Sequence, residues 1–190
     1  MNMNEIQEKL RCLGLYTGAI DDTFGPLTKN ATGKFQTEFS GLYTGKIDGI
    51  PGPLTQAALT KAFAAAAVHK STGAQLSEHF NENEFVCHDG SGLVAVDPRL
   101  VLKLELLREA LGSKPITVTS GYRTPAYNAT LPGAARDSQH TVGKAADVVV
   151  PGYTPAQVAA KAAQVGFDGI GVYQGFTHCD TRGYSARWNG

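Results

Sequence analysis

The sequence predicts an α+β protein in two parts: a small all-α domain of three helices, then a larger α+β domain with a small, largely antiparallel sheet. Three observations carry that prediction. A segment near the N-terminus is duplicated, GLYTGAIDDTFGPLT at 14–28 and GLYTGKIDGIPGPLT at 41–55, matching at 11 of 15 positions with an offset of 27 residues. The second half reads helix, strand, long loop, strand, helix, strand, strand, which lacks the regular alternation of a doubly wound sheet. The chain has 190 residues, 42% hydrophobic and 18% charged, a length and composition that suit one large domain or two small ones with real cores.

Each copy of the repeat ends in Gly-Pro-Leu-Thr, where Gly25-Pro26 and Gly52-Pro53 end a loop and open a helix. Before the first loop, Asn4 is positioned to cap a helix carrying Ile6, Leu10 and Leu13 on one side, with Gly14 at its end. After it, Leu27, Ala31, Phe35 and Phe39 recur every four residues, and Leu54, Ala58, Leu59, Ala62 and Phe63 follow the second loop in the same way. Residues 1–63 form this domain. The stretch 64–76 has little apolar periodicity and reads as a linker, in which His69 has no assigned role. The second domain spans 77–190.

In that domain Asp97-Pro98 caps a helix whose Leu100, Leu104, Leu107 and Leu111 trace one face before Gly112. Ile116–Ser120 and Ala146–Val150 are β-rich, Thr154-Pro155 opens a helix closed by Gly166, and Ile170–Tyr173 and Phe176–Asp180 are further strands. Asn81 and Glu84 have capping-box spacing, so His79 and His88 beside them read as surface or packing residues.

Lys plus Arg equal Asp plus Glu at 17 each. A broad basic field for nucleic acid is therefore excluded. The longest apolar run, Ala62–Val68, is far short of the roughly 20 residues that span a bilayer, and no membrane insertion is expected. The N-terminus shows no secretory pattern. Three cysteines, Cys12, Cys87 and Cys179, with no CxxC pair, argue against a disulfide framework or thiolate zinc site and read as buried free thiols. A monomer is expected.

Two segments concentrate metal-binding residue types: Ser138-Gln-His140-Thr-Val-Gly143-Lys-Ala145-Ala-Asp147 and Phe176-Thr-His178-Cys-Asp180. Strand alternation puts His178 and Asp180 on one side and Cys179 on the other, and Asp147 on one face with Ala145 and Val149. Two imidazoles and a carboxylate suit Zn²⁺ with a fourth position open for water. The alternative is structural: His140 caps a loop, Asp147 pairs with an arginine and His178 packs in the core.

The repeat, with its Leu-Tyr-Thr-Gly-x-Ile-Asp and Gly-Pro-Leu-Thr elements followed by Ala31 and Phe35-Gln36, resembles the peptidoglycan-binding-domain-1 family across residues 5–63. That resemblance implies binding to bacterial peptidoglycan, with Tyr16, Asp21, Tyr43 and Asp48 as contacts; the same residues could instead fold the loops. The string Ser-x-His-x-x-Gly-x-Ala-x-Asp, with Ser120-Gly121-Tyr122-Arg123 upstream and His178-x-Asp180 downstream, resembles the zinc D-Ala-D-Ala carboxypeptidase family over roughly 77–190.

By that second resemblance His140, Asp147 and His178 are zinc ligands, and zinc-activated water hydrolyses a peptide bond in a stem peptide or cross-link. Arg123 then clamps a substrate carboxylate or oxyanion, or else forms an ion pair with Asp137 or Asp168. Some members of the family carry an acid three positions before the last ligand, where this chain has Gly175. Asp180 is the acid left to act as general base, or to orient a ligand histidine. Ser138 shapes its loop or contacts substrate, and Tyr122, Tyr173 and Trp188 are candidates to line the cleft. The setting expected is a phage endolysin made in the host cytoplasm and acting on the wall after release. A bacterial D,D-carboxypeptidase and a silent, zinc-containing wall-binding protein are the alternatives.

Overall fold

The computed structural model describes residues 1–62 and 66–190; Phe63 and the side chain of Cys12 lie outside the described residues. Three helices form the N-terminal domain: α1 (Met3–Cys12), α2 (Pro26–Glu38) and α3 (Pro53–Ala62). The cap of α1 is Asn2 rather than Asn4. Asn2 accepts from the Glu5 amide while Glu5 reaches back to the Asn2 amide, and the Asn4 amide donates to Asp22. Ile6, Leu10, Leu13, Ala31, Phe35, Phe39, Ala58, Leu59 and Ala62 fill the core. Leu27 and Leu54, expected on the buried faces, are 58% and 62% exposed, because the adjacent Thr28 and Thr55 take the buried positions of those first turns, where they accept from Gln7 and Gln36.

Both loops are tied down by a buried glutamine. Gln7 Nε2 donates to Asp21 Oδ1 at 2.8 Å and the Asp21 amide donates back to Gln7 Oε1 at 3.1 Å. Gln36 does the same with Asp48, at 3.1 and 3.0 Å. The Tyr16 hydroxyl donates to the Ala19 carbonyl and that of Tyr43 to the Lys46 carbonyl. A Cβ on Gly18 or Gly45 would lie 2.5 Å from the respective hydroxyl, so each copy needs glycine there.

Residues 64–76 were expected to be a linker, yet part of this stretch is folded. Strand β1 (His69–Lys70) pairs antiparallel with β2 (Leu93–Val94). The buried Glu82 carboxylate accepts from the amides of Thr72 and Ala74 and faces His69 Nε2 at 2.9 Å, which fixes the segment against the second domain.

That domain contains α4 (Pro98–Ala110), β3 (Thr117–Ser120), α5 (Pro125–Thr130), β4 (Ala145–Val149), α6 (Pro155–Gln164), β5 (Gly169–Val172), β6 (Thr177–Asp180) and β7 (Ala186–Asn189). The sheet order is β3-β4-β6-β5-β7. All pairings are antiparallel except β5 with β7, which is parallel. Helix α5, capped by Thr124, occupies the expected long loop. Ala146, Val148, Ile170 and Cys179 point to one face and pack with Leu100, Leu104 and Leu107 of α4 and Val158 and Ala162 of α6.

The expected apolar face of α4 is not its only buried surface. Leu102 sits in the N-terminal core, with Leu106 packed against it, so α4 is a spine shared by both domains. Cys87 and Cys179 are buried free thiols. No helix among the described residues is long and apolar enough to cross a membrane.

Candidate metal centre

The sheet face opposite α4 and α6 carries the chemistry, and strand register assembles it. Asp147 on β4 lies directly across from His178 on β6. Ser120 on β3 is the next partner of Asp147. Small residues make the room: a Cβ on Gly169 would fall 2.1 Å from Asp180 Oδ2, and one on Gly171 would fall 2.5 Å from the Trp188 indole. His140 arrives from a short 3-10 turn, Gln139–Val142, closed by Gly143 at φ 70°. There the left-handed backbone and the Ala95 carbonyl 2.4 Å from a Cβ position both require glycine.

The three side chains meet at one point. Asp147 Oδ1 is 3.2 Å from His140 Nε2 and 2.9 Å from His178 Nδ1, and the two nitrogens are 3.2 Å apart. His140 and His178 are 2% and 7% exposed, and Asp147 4%. The far ring nitrogens settle what the near ones carry. His140 Nδ1 lies 2.7 Å from the Gly121 carbonyl, and His178 Nε2 lies 2.9 Å from Asp180 Oδ2. Each far nitrogen faces an acceptor and so holds the ring proton, leaving a lone pair on each near nitrogen.

Two lone pairs and a carboxylate oxygen therefore face one another without a donor among them, an arrangement that only a positive charge between them relieves. Tetrahedral ligands placed ~2.0–2.1 Å from zinc lie roughly 3.3 Å from each other. The observed 2.9–3.2 Å separations match that spacing with little adjustment, so the donor set fits Zn²⁺.

Burial and the neighbouring carboxylates move the two rings in opposite directions. Burial lowers the pKa of His140. Burial opposes the charge on His178 too, but the carboxylates of Asp147 and Asp180 on either side of the ring outweigh it and raise that pKa. Burial works against ionisation of Asp147, and the two imidazoles facing it override this and hold its carboxyl well below the usual carboxylate range.

The cluster forms the floor of a cleft of about 580 Å³ whose lining includes Arg123, Asp137, Ser138, Tyr173, Phe176, Arg182, Tyr184 and Trp188. Arg123 pairs neither with Asp137 nor with Asp168. Its Nη2 donates to Asp147 Oδ2 at 2.6 Å and its Nε to Ser120 Oγ at 2.9 Å, leaving Nη1 for a ligand. The Ser138 hydroxyl makes no capping bond to the turn it precedes. Tyr173 stacks on Phe176 with ring centroids 4.5 Å apart and accepts from Trp188 Nε1 at 2.9 Å.

Two expected site residues stand elsewhere. Tyr122 is 4% exposed and packs with Cys87 and Ala95; it follows buried Gly121 off the end of β3 and turns away from the cleft. Asp180 is fully buried. Both its oxygens are engaged, by His178 Nε2 and by the Arg182 side chain, with Nη2 at 2.6 Å. It stands behind the His178 ring, which is the position of an orienting acceptor rather than of a base. Tyr16, Asp21, Tyr43 and Asp48 spend their hydrogen bonds on folding the two loops. His79 faces Glu105 across 2.9 Å, and His88 is exposed.

Sequence reasoning missed Arg182, Tyr184 and β7. Arg182 lies over both Trp188 and Tyr184, 5.0 and 5.5 Å from the ring centroids. The alternation in Ala186-Arg-Trp-Asn was the signal available.

A metal-dependent hydrolase is the class that this fold and donor set define. The chain belongs to the Peptidase M15 family, whose model matches residues 63–180, and a peptidoglycan-binding-domain family model matches residues 2–59. It is also similar to the zinc D-Ala-D-Ala carboxypeptidase of Streptomyces albus G, 38% identical over 68 residues, which are 36% of this chain and 26% of that protein.

Proposed function

We propose that the protein is a peptidoglycan hydrolase that cuts a peptide bond in the stem peptide or cross-link, held on its polymer by the N-terminal domain. The observation that carries this is the convergence of two bare imidazole nitrogens and a carboxylate oxygen at the floor of an open cleft. The wall-directed half of the reading is supported by the match of residues 2–59 to a peptidoglycan-binding family. Tethering raises the local concentration of substrate without new contacts at the site.

His140, Asp147 and His178 would hold the zinc. Bound there, it polarises a carbonyl and lowers the pKa of water toward neutrality. The chain's own residues do the rest. Asp180 and the Gly121 carbonyl fix the two rings, Arg123 offers Nη1 to a substrate oxygen, and the Tyr173–Phe176–Trp188 wall gives an apolar surface to the peptide. A modular phage endolysin, acting as a monomer outside the cytoplasm after release, is the setting that best joins a wall-binding module to such a hydrolase. A bacterial wall-remodelling D,D-carboxypeptidase is the neighbouring reading.

The test is incubation of purified wall sacculi with the zinc-loaded protein and with His178→Ala, followed by mass spectrometry of soluble fragments and their new amino termini. Release by the parent alone identifies the bond. Binding without release by either protein would leave a silent wall-binding module.

A further inference from the structure

Hydrolysis needs a group that takes a proton from the attacking water and returns one to the leaving amine, and neither position suggested by the sequence supplies it. Gly175 has no side chain, and Asp180 is fully buried with both oxygens engaged by His178 and Arg182. Among the described residues lining the cleft, only Asp137 and Asp147 carry carboxylates. Asp147 is committed: Oδ1 faces both histidines and Oδ2 accepts from Arg123.

Asp137 is exposed, borders the cleft from the segment that leads into the His140 turn, and its carboxylate has no hydrogen-bond or ion-pair partner among the described residues. The next residue, Ser138, also lines the cleft and makes no cap bond. An uncommitted carboxylate three residues from His140, lining the same cleft as the cluster, is the acid left to transfer a proton there.

We propose that Asp137 is the acid–base group of the reaction. This rests on the peptidase reading. As the water oxygen forms its bond to the carbonyl carbon, one water proton passes to the Asp137 carboxylate. As the carbon–nitrogen bond breaks, Asp137 gives that proton to the leaving nitrogen. Asp137 ends ionised as it began, and the products are an acid and an amine.

The experiment compares the wild-type protein with Asp137→Ala and Asp137→Asn on a soluble stem-peptide substrate, with zinc affinity measured by chelator competition. Proton transfer predicts a fall in kcat of about 10²–10⁴-fold in both variants. KM should stay within about threefold, zinc affinity should be unchanged, and added formate should restore part of the activity to Asp137→Ala. A kcat within threefold of wild type, or activity lost together with zinc affinity, overturns the proposal while leaving the peptidase reading standing. An inactive wild-type protein that binds zinc would overturn the peptidase reading, and this proposal with it.

Discussion

His178 presents its Nε2 to Asp180 Oδ2 at 2.9 Å, and this contact with a residue two positions along the same strand decides which ring nitrogen faces the cluster. With the proton held at Nε2, the bare Nδ1 is aimed at Asp147 and His140. Arg182 grips the other side of Asp180 and compensates its buried charge. Asp180→Asn offers one acceptor and one donor in place of two acceptors, so the ring is no longer held in one tautomer. Zinc affinity is expected to fall about 10–100-fold, as read by chelator competition, while the fold is retained.

Gly169 is the space Asp180 occupies. A methyl group there falls 2.1 Å from Oδ2, and the carboxylate cannot yield without releasing His178 and Arg182. Gly169→Ala is expected to cost about 1–3 kcal/mol by overpacking, seen as a lower Tm, with zinc affinity falling in parallel. Gly175→Ala is the control, since no heavy atom lies within 4 Å of its Cβ position, and it should unfold with the wild-type protein.

The N-terminal loops hang on their glutamines. Gln36 is 2% exposed, and its side-chain oxygen accepts from the amides of Asp48 and Gly49 at 3.0 and 2.8 Å. Gln36→Leu leaves those groups without their acceptor in a buried site, a loss of about 1–3 kcal/mol for each group left unsatisfied. Thermal unfolding should show it, and binding to sacculi should weaken. Zinc affinity, which belongs to the other domain, should hold.

Glu38 gives the stability a pH dependence. Burial, with Glu109 and Glu105 nearby and Lys34 opposing, raises its pKa from 4.5 to about 7, and its Oε2 is buried without a partner. The folded chain thus holds this proton more tightly than the unfolded one. Its contribution to stability is full below about pH 4.5 and is lost as the pH climbs to about 7. The difference in stability between Glu38→Gln and wild type should grow in favour of the variant across that window. A difference independent of pH would place the Glu38 proton elsewhere.

The two-part organisation was legible because turn chemistry is local: Gly-Pro at the helix starts and the Asp97 and Thr154 caps each lie within a few residues of what they fix. The faces of Asp147 and His178 were legible because alternation on β4 and β6 decides them whatever packs around them, while reading them with His140 as a metal site rested on the family resemblance. The glutamine anchors were not. The loops repeat at 27 residues, whereas Gln7 and Gln36 are 29 apart, so the duplication hides them. The uses made of Arg123 and Tyr122 depend on contacts with distant segments, Asp147 for the one and Cys87 and Ala95 for the other, which no local pattern encodes; Asp180 instead bonds its near neighbours His178 and Arg182, and its orienting role was one of the two the sequence left open. The double burial of α4 was masked by its strong leucine face, since Leu102 and Leu106 form a second stripe that meets the other domain.

In the proposed function, His140, Asp147 and His178 hold one zinc ion on which peptide-bond cleavage depends. The most direct test is to titrate metal-free protein with Zn²⁺ while following release of wall fragments, beside His140→Ala. Release should rise to a plateau at one equivalent and be absent from the variant. Cleavage by the metal-free protein, or undiminished cleavage by His140→Ala, would contradict that dependence.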